Sequence, residues 1–172
     1  RGNRSEWLLV SNNLIDDGDN GFQRFQGPDW TYLSSGFNND CWISPTVNSQ
    51  QESRHYAIWV PQLESDGEYD IEVFIPTGID AATEAMYEIN IKNEYGISER
   101  SVVVVNQNIN QGNFHSISSI YIPTGSRCSV MLRDIVGPSS NGSFVVFDAI
   151  QFSPVSNNNI SENDIILNEN IL

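Results

Sequence analysis

Positive charge is what this sequence most lacks. Its 172 residues hold eight lysines and arginines, with Lys92 the lone lysine, against 22 aspartates and glutamates, for a formal net charge of −14. A field of that sign repels nucleic-acid phosphates and anionic membrane surfaces, so no nucleic acid is expected as a partner. Long apolar runs are missing too. The longest clean stretches, Val102–Val105 and Phe144–Phe147, are strand-sized, far short of the roughly 18 residues of a membrane helix. No membrane insertion is expected. Cysteine is limited to Cys41 and Cys128. That excludes a disulfide scaffold and leaves two readings open, a single Cys41–Cys128 disulfide or two buried thiols. Two histidines 60 residues apart, His55 and His115, and two isolated cysteines do not match zinc-ligand spacing.

What the chain has in quantity is alternation. From about residue 55 onward, apolar and polar residues follow a period of two, the signature of half-buried strands. "EYDIEVFIP" puts Tyr69, Ile71, Val73 and Ile75 on one face and Asp70 and Glu72 on the other. "YAIWVPQL", "MYEINIKN", "RSVVVVN", "FHSISSIYIP", "RCSVMLRD" and "SFVVFDAIQF" read the same way, each as one strand. Turn signals separate them, among them Ser65-Asp-Gly67, Asn93-Glu-Tyr-Gly96 and Pro123-Thr-Gly125. Regular short strands between turns predict an all-β, antiparallel β-sandwich. "EWLLVSN" and "CWISP" read as further strands, and residues 80–86 as one helical turn or a loop. The organisation expected is an N-terminal extension over 1–7, one sandwich domain over 8–154 and a polar tail or linker over 155–172. Within that tail "DIILNENIL" is suited to dock as a strand on a neighbouring domain or subunit. A chain that opens at Arg1 without a signal-peptide pattern reads as a mature or excised piece of something longer.

Chemistry is harder to find. No G-x-S-x-G elbow accompanies either histidine, so both read as structural or exposed rather than as part of a hydrolytic triad. A glycosidase carboxylate pair is defined by its separation in space, and 22 acids single out none. The acidic stretch "LIDDGDNGFQRFQGPDW", Leu14 to Trp30, suggests calcium. In an EF-hand register starting at Asp16, however, position 12 is Gly27, where a bidentate glutamate is required. Two readings remain. One is a non-EF calcium site drawing on Asp17 and Asp19 with a distant carboxylate such as Asp148. The other is an Asp19-Asn-Gly21 turn whose side chains bond their own backbone. Among the aromatics, Trp59 and Tyr69 sit inside alternating strands and are expected in the core. Trp30, Tyr32, Trp42 and Tyr95 lie in or beside loops rich in Asn, Ser and Gly, and are the candidates for stacking on a sugar.

Several segments, in order, resemble one family. "IDDGDNGF" leads to Trp30, then come "YAIWVPQL", "GEYDIEVFIP", "NQNINQGNFHSIS" and the close "FVVFDAIQFSP". Together they resemble the golvesin/xanthan-lyase carbohydrate-binding-like domain over roughly residues 8 to 154. The resemblance implies a jelly-roll-like sandwich of the carbohydrate-binding-module type, extracellular or on the cell surface, attached to microbial enzymes or adhesive proteins. It implies a non-catalytic accessory role and a polysaccharide or glycoconjugate as partner. The alternative is a structural or adhesive subunit working through protein contacts. By analogy with related sandwich modules it also implies a structural calcium between an early acid, Asp17, and the acid of the last strand, Asp148.

Overall fold

The computed structural model describes residues 13–25, 27–109 and 111–155. The strand expected in "EWLLVSN", the 1–7 extension and nearly all of the 155–172 tail therefore lie outside the described residues. Twelve strands follow in chain order: β1 (Leu14–Ile15), β2 (Phe22–Phe25), β3 (Thr31–Leu33), β4 (Cys41–Pro45), β5 (Tyr56–Trp59) and β6 (Gly67–Ile75). They continue with β7 (Ala85–Lys92), β8 (Ser98–Val105), β9 (Asn113–Ile122), β10 (Arg127–Val136), β11 (Phe144–Phe147) and β12 (Ile150–Pro154). All pair antiparallel. A four-stranded sheet, β1-β12-β6-β9, faces a five-stranded one, β2-β5-β10-β7-β8, and a small sheet, β11-β4-β3, closes one side. The expectation of an antiparallel sandwich holds.

The core forms where the inward half of each alternating strand meets the other sheet. Tyr69, Ile71, Val73, Ile75, Ile150 and Phe152 of the four-stranded sheet pack in one cluster with Trp59, Tyr87, Ile89, Val130 and Leu132 of the five-stranded sheet, and Phe147 of β11 joins them. At about 1.5–3 kcal/mol for each large apolar side chain removed from water, this cluster is the main stabilising term. Tyr69 and Trp59 keep their polar ends bonded, to the Ser65 and Asp148 carbonyls at 2.9 Å each. Both sit in the core as their strand positions required.

Three expectations need refinement. "SFVVFDAIQF" is two strands in different sheets, because the chain breaks at Asp148-Ala149 between β11 and β12. There the Asp148 carboxylate accepts the Ala149 amide at 2.7 Å, a local bond that competes with ladder pairing. Residues 80–86 form no helix. Their amides are used elsewhere, Ala82 to the Phe144 carbonyl and Thr83 to the Asn141 carbonyl, and β7 already begins at Ala85. The disulfide reading of Cys41 and Cys128 is the one the structure does not take. Both are free and buried in different apolar clusters, and burial pushes each thiol up to about 12.

Candidate functional site

Three segments far apart in sequence converge at one end of the sandwich. The first is the turn after β1, Asp16 to Gly21. The second is the loop from Gly36 to Asp40, with a single 3-10 turn at Phe37–Asn39. The third is the β11–β12 break at Asp148. The loop needs unusual backbone: Gly36 has φ +141°, and Asn38 and Asn39 have φ of 51° and 71°. Glycine and asparagine are the residues that tolerate such angles. A Cβ at position 36 would lie 2.6 Å from Asp148 Oδ2, so glycine also permits the loop to press against that carboxylate. The Phe37 amide donates to both Asp148 oxygens, at 3.3 and 3.1 Å, and Asn38 Nδ2 donates to Asp16 Oδ2 at 2.8 Å.

The result is an acidic pocket. Asp16, Asp17 and Asp40 each bring one carboxylate oxygen to within 4.8 Å of the others. Burial, followed by the charges of Asp40 and Asp16, pushes Asp17 up to about 7. Asp148 is pushed up to about 8, again chiefly by burial, although its two amide bonds pull the other way. Asp16 is raised for the same leading reason. Asp17 Oδ2 is buried with no hydrogen-bond partner among the described residues. Calcium takes hard oxygen ligands at 2.3–2.6 Å, so two oxygens on one ion stand at most about 5 Å apart. The donor set and its spacing fit that ion. Asp19 has a different part. Its carboxylate accepts the Asp16 amide at 2.9 Å, which makes it a brace of the turn. Asp40 was missed in the sequence, where only its neighbours in "SSGFNND" hinted at a tight loop.

Beside the pocket lies an aromatic ledge. β3 and β4 set Tyr32 opposite Trp42, edge to face with ring centres 5.2 Å apart. Trp30 meets Trp42 edge-on at 6.5 Å and reaches inward to His55 and Phe147, while its Nε1 donates to the Phe25 carbonyl at 2.9 Å. Trp30 is therefore an anchor more than a platform. The Arg24 guanidinium stands 3.3 Å from the Trp42 ring centre and interacts with Asp17, which links ledge and pocket. It occupies one face of Trp42 in a cation–π contact. Tyr32, 48% exposed, is the most open ring of the ledge. Tyr95 lies elsewhere, at the tip between β7 and β8, and is 82% exposed.

His55 takes a structural position. His55 Nδ1 is 2.8 Å from Ser44 Oγ and 3.1 Å from Asp134 Oδ2, with all three residues buried. A hydrolytic triad places nucleophile and carboxylate on opposite ring nitrogens. Here both crowd one nitrogen, and Nε2 faces the backbone of Gly27. Asp134 also accepts the Arg54 and His55 amides and the Ser53 hydroxyl, which ties down the loop before β5. His115 lies in β9 opposite Val73.

Sequence comparison decides the family, since the Golvesin C-terminal domain model matches residues 14–154. The chain belongs to that family. No curated protein matches it. Among solved structures, a Paenibacillus xanthan lyase superposes with a TM-score of 0.61 at 18% identity over 83% of this chain. The match takes up 13% of that lyase's chain, so this chain spans only a small part of its length. A family 35 carbohydrate-binding module from Clostridium thermocellum covers 82% of this chain, and 98% of its own, at 12% identity with a TM-score of 0.48. The superposition on the xanthan lyase shows a shared β-sandwich fold.

Proposed function

We propose that this Golvesin C-terminal domain is a non-catalytic accessory module of an extracellular or cell-surface protein that binds polysaccharide. The observation that carries the reading is the ledge of Tyr32, Trp42 and Arg24. It combines an exposed ring with a guanidinium held in place over Trp42, a pairing able to stack on a sugar ring and bond its hydroxyls. A single site of this size binds weakly, and avidity comes from the parent protein. Calcium is the cofactor of this reading. Asp16, Asp17 and Asp40 would hold it, with Asp148 anchoring the 36–40 loop. The ion would supply the positive charge that these desolvated carboxylates lack and would lock the loop that leads into β4. Affinity electrophoresis in gels cast with plant and microbial polysaccharides tests the proposal. Retardation by at least one polymer, lost in Tyr32→Ala, is expected. Retardation by none, or an unaltered response in Tyr32→Ala, removes it.

A second reading, a structural or adhesive subunit, draws on another observation. Among the described residues β8 ends the five-stranded sheet with its outer edge unpaired, and it carries Val102 to Val105, an invitation to strand addition. The strand-like "DIILNENIL" within residues 155–172 is a suitable partner. Silence on every glycan, with oligomers that vanish when 156–172 are deleted, would favour it.

A further inference from the structure

The molecule's few cations are not scattered. Eight basic residues less Arg1 and Arg4, which lie outside the described residues, leave six. Four of the six, Lys92, Arg100, Arg127 and Arg133, stand on the outward face of β7, β8 and β10. Arg100 and Arg133 share Glu88, at 2.8 and 3.7 Å. Lys92 and Arg127 make no ion pair among the described residues, yet they sit directly opposite each other in the β7–β10 ladder. Like charges so placed repel and weaken the pairing. Among the described residues no carboxylate lies against this pair closely enough to count as an ion pair.

The two cations open onto a hollow of about 470 Å³ that Asn93, Glu94, Tyr95, Gly96 and Gly125 complete. Its walls are fixed. Asn93 Oδ1 accepts the Tyr95 and Ile97 amides at 3.1 and 2.9 Å, and the Asn93 carbonyl accepts the Gly96 amide at 3.0 Å, with Gly96 at φ +81° closing the turn. An exposed ring is thereby held on a stapled turn instead of a mobile tip. Glu94 returns one negative charge, so the hollow is positive by one (two minus one). Arg127 offers a fork that fits a carboxylate and Lys92 a point charge beside it. Tyr95 offers an amphipathic ring of the kind that packs on a sugar. A polyphosphate is opposed by the −14 field of the whole molecule, whereas one acidic sugar unit needs only the local surplus.

We infer that the Lys92–Arg127–Tyr95 hollow is a second glycan subsite, selective for saccharides that carry a carboxylate, uronic acids in particular. It rests on the reading of the domain as a glycan binder but uses none of the ledge residues. The test is amide chemical-shift mapping of the 15N-labelled protein with trigalacturonate, with its fully methyl-esterified form and with a triglutamate peptide. Expected are saturable shifts at 93–96 and 125–127 with trigalacturonate alone, abolished by high salt. The Lys92→Gln/Arg127→Gln variant should bind about tenfold more weakly or worse, its spectrum elsewhere showing that it folds. Equal shifts with the ester or with triglutamate would overturn the selectivity for acidic sugars. Shifts confined to the surroundings of Tyr32 and Trp42 would end the second subsite and leave the glycan reading standing. No shift from either saccharide anywhere, together with no retardation in any polysaccharide gel, would remove both.

Discussion

Calcium added to the chelated protein should raise its melting temperature, and the rise should grow with pH. Oxygen-only sites in extracellular modules bind calcium with Kd on the order of 10⁻⁴ to 10⁻³ M. At the tighter end, 10 mM calcium is about a 100-fold excess and stabilises the fold by about 2.7 kcal/mol. For a domain of this size that corresponds to a shift of about 5–10 °C. The pH dependence follows from the carboxylates. In the metal-free fold Asp17 titrates near 7 and Asp148 near 8, both above their ordinary value of 3.8. The folded chain thus binds more protons than the unfolded one between about pH 4 and pH 8. The contribution of these two carboxyls to stability is full below that window and is lost as pH rises through it. Calcium binds the deprotonated carboxylates, so its effect is small at pH 5, where it must displace those protons, and largest at pH 8. Differential scanning fluorimetry at pH 5 and pH 8, with EDTA and then with 10 mM calcium, reads both. A flat response at pH 8 would refute the reasoning, as would a full shift in both Asp17→Asn and Asp40→Asn.

Three further outcomes can be checked on the same protein. Gly36→Ala places a Cβ 2.1 Å from the Asp40 carbonyl oxygen at a φ of +141°, so urea unfolding should show a loss of about 2 kcal/mol or more. Asp134→Ala strands the buried His55 amide together with the Arg54 amide, while the His55 ring keeps Ser44. A loss of about 3 kcal/mol is expected by the same measurement. The thiols of Cys41 and Cys128, buried and pushed up to about 12, should ignore a disulfide-exchange reagent in the native protein and both react in urea.

The sandwich was legible because its strands alternate. A polar residue on every second position of "EYDIEVFIP" leaves one face to bury, and β6 buries that face. β1 to β3 were not legible, since two to four residues carry too little period to see. The β11–β12 break escaped for a related reason. Asp148 stops the strand by bonding Ala149 locally, while the apolar pattern of "FVVFDAIQF" runs on. The acidic pocket was half visible. Asp17 and Asp148 could be picked out, but the grouping with Asp16 and Asp40 depends on a loop made possible by Gly36, Asn38 and Asn39. Carboxylates from three separate segments meet only in space. Trp30, Tyr32 and Trp42 share one ledge as loop aromatics suited to a ligand, yet nothing in the sequence says that Arg24 covers Trp42 or that Trp30 is tied inward. Tyr95 was visible as exposed. The unpaired Lys92–Arg127 couple beneath it depends on strand register, which residue type does not disclose.

Binding without turnover is the central claim, and one calorimetric titration addresses it directly. The polysaccharide that most retards the protein is titrated into it, and the same mixture is assayed afterwards for new reducing ends and unsaturated products. Saturable heat that disappears in Tyr32→Ala, with no new products, is the predicted result. An absence of binding heat, or products that accumulate in proportion to protein and time, would contradict the account.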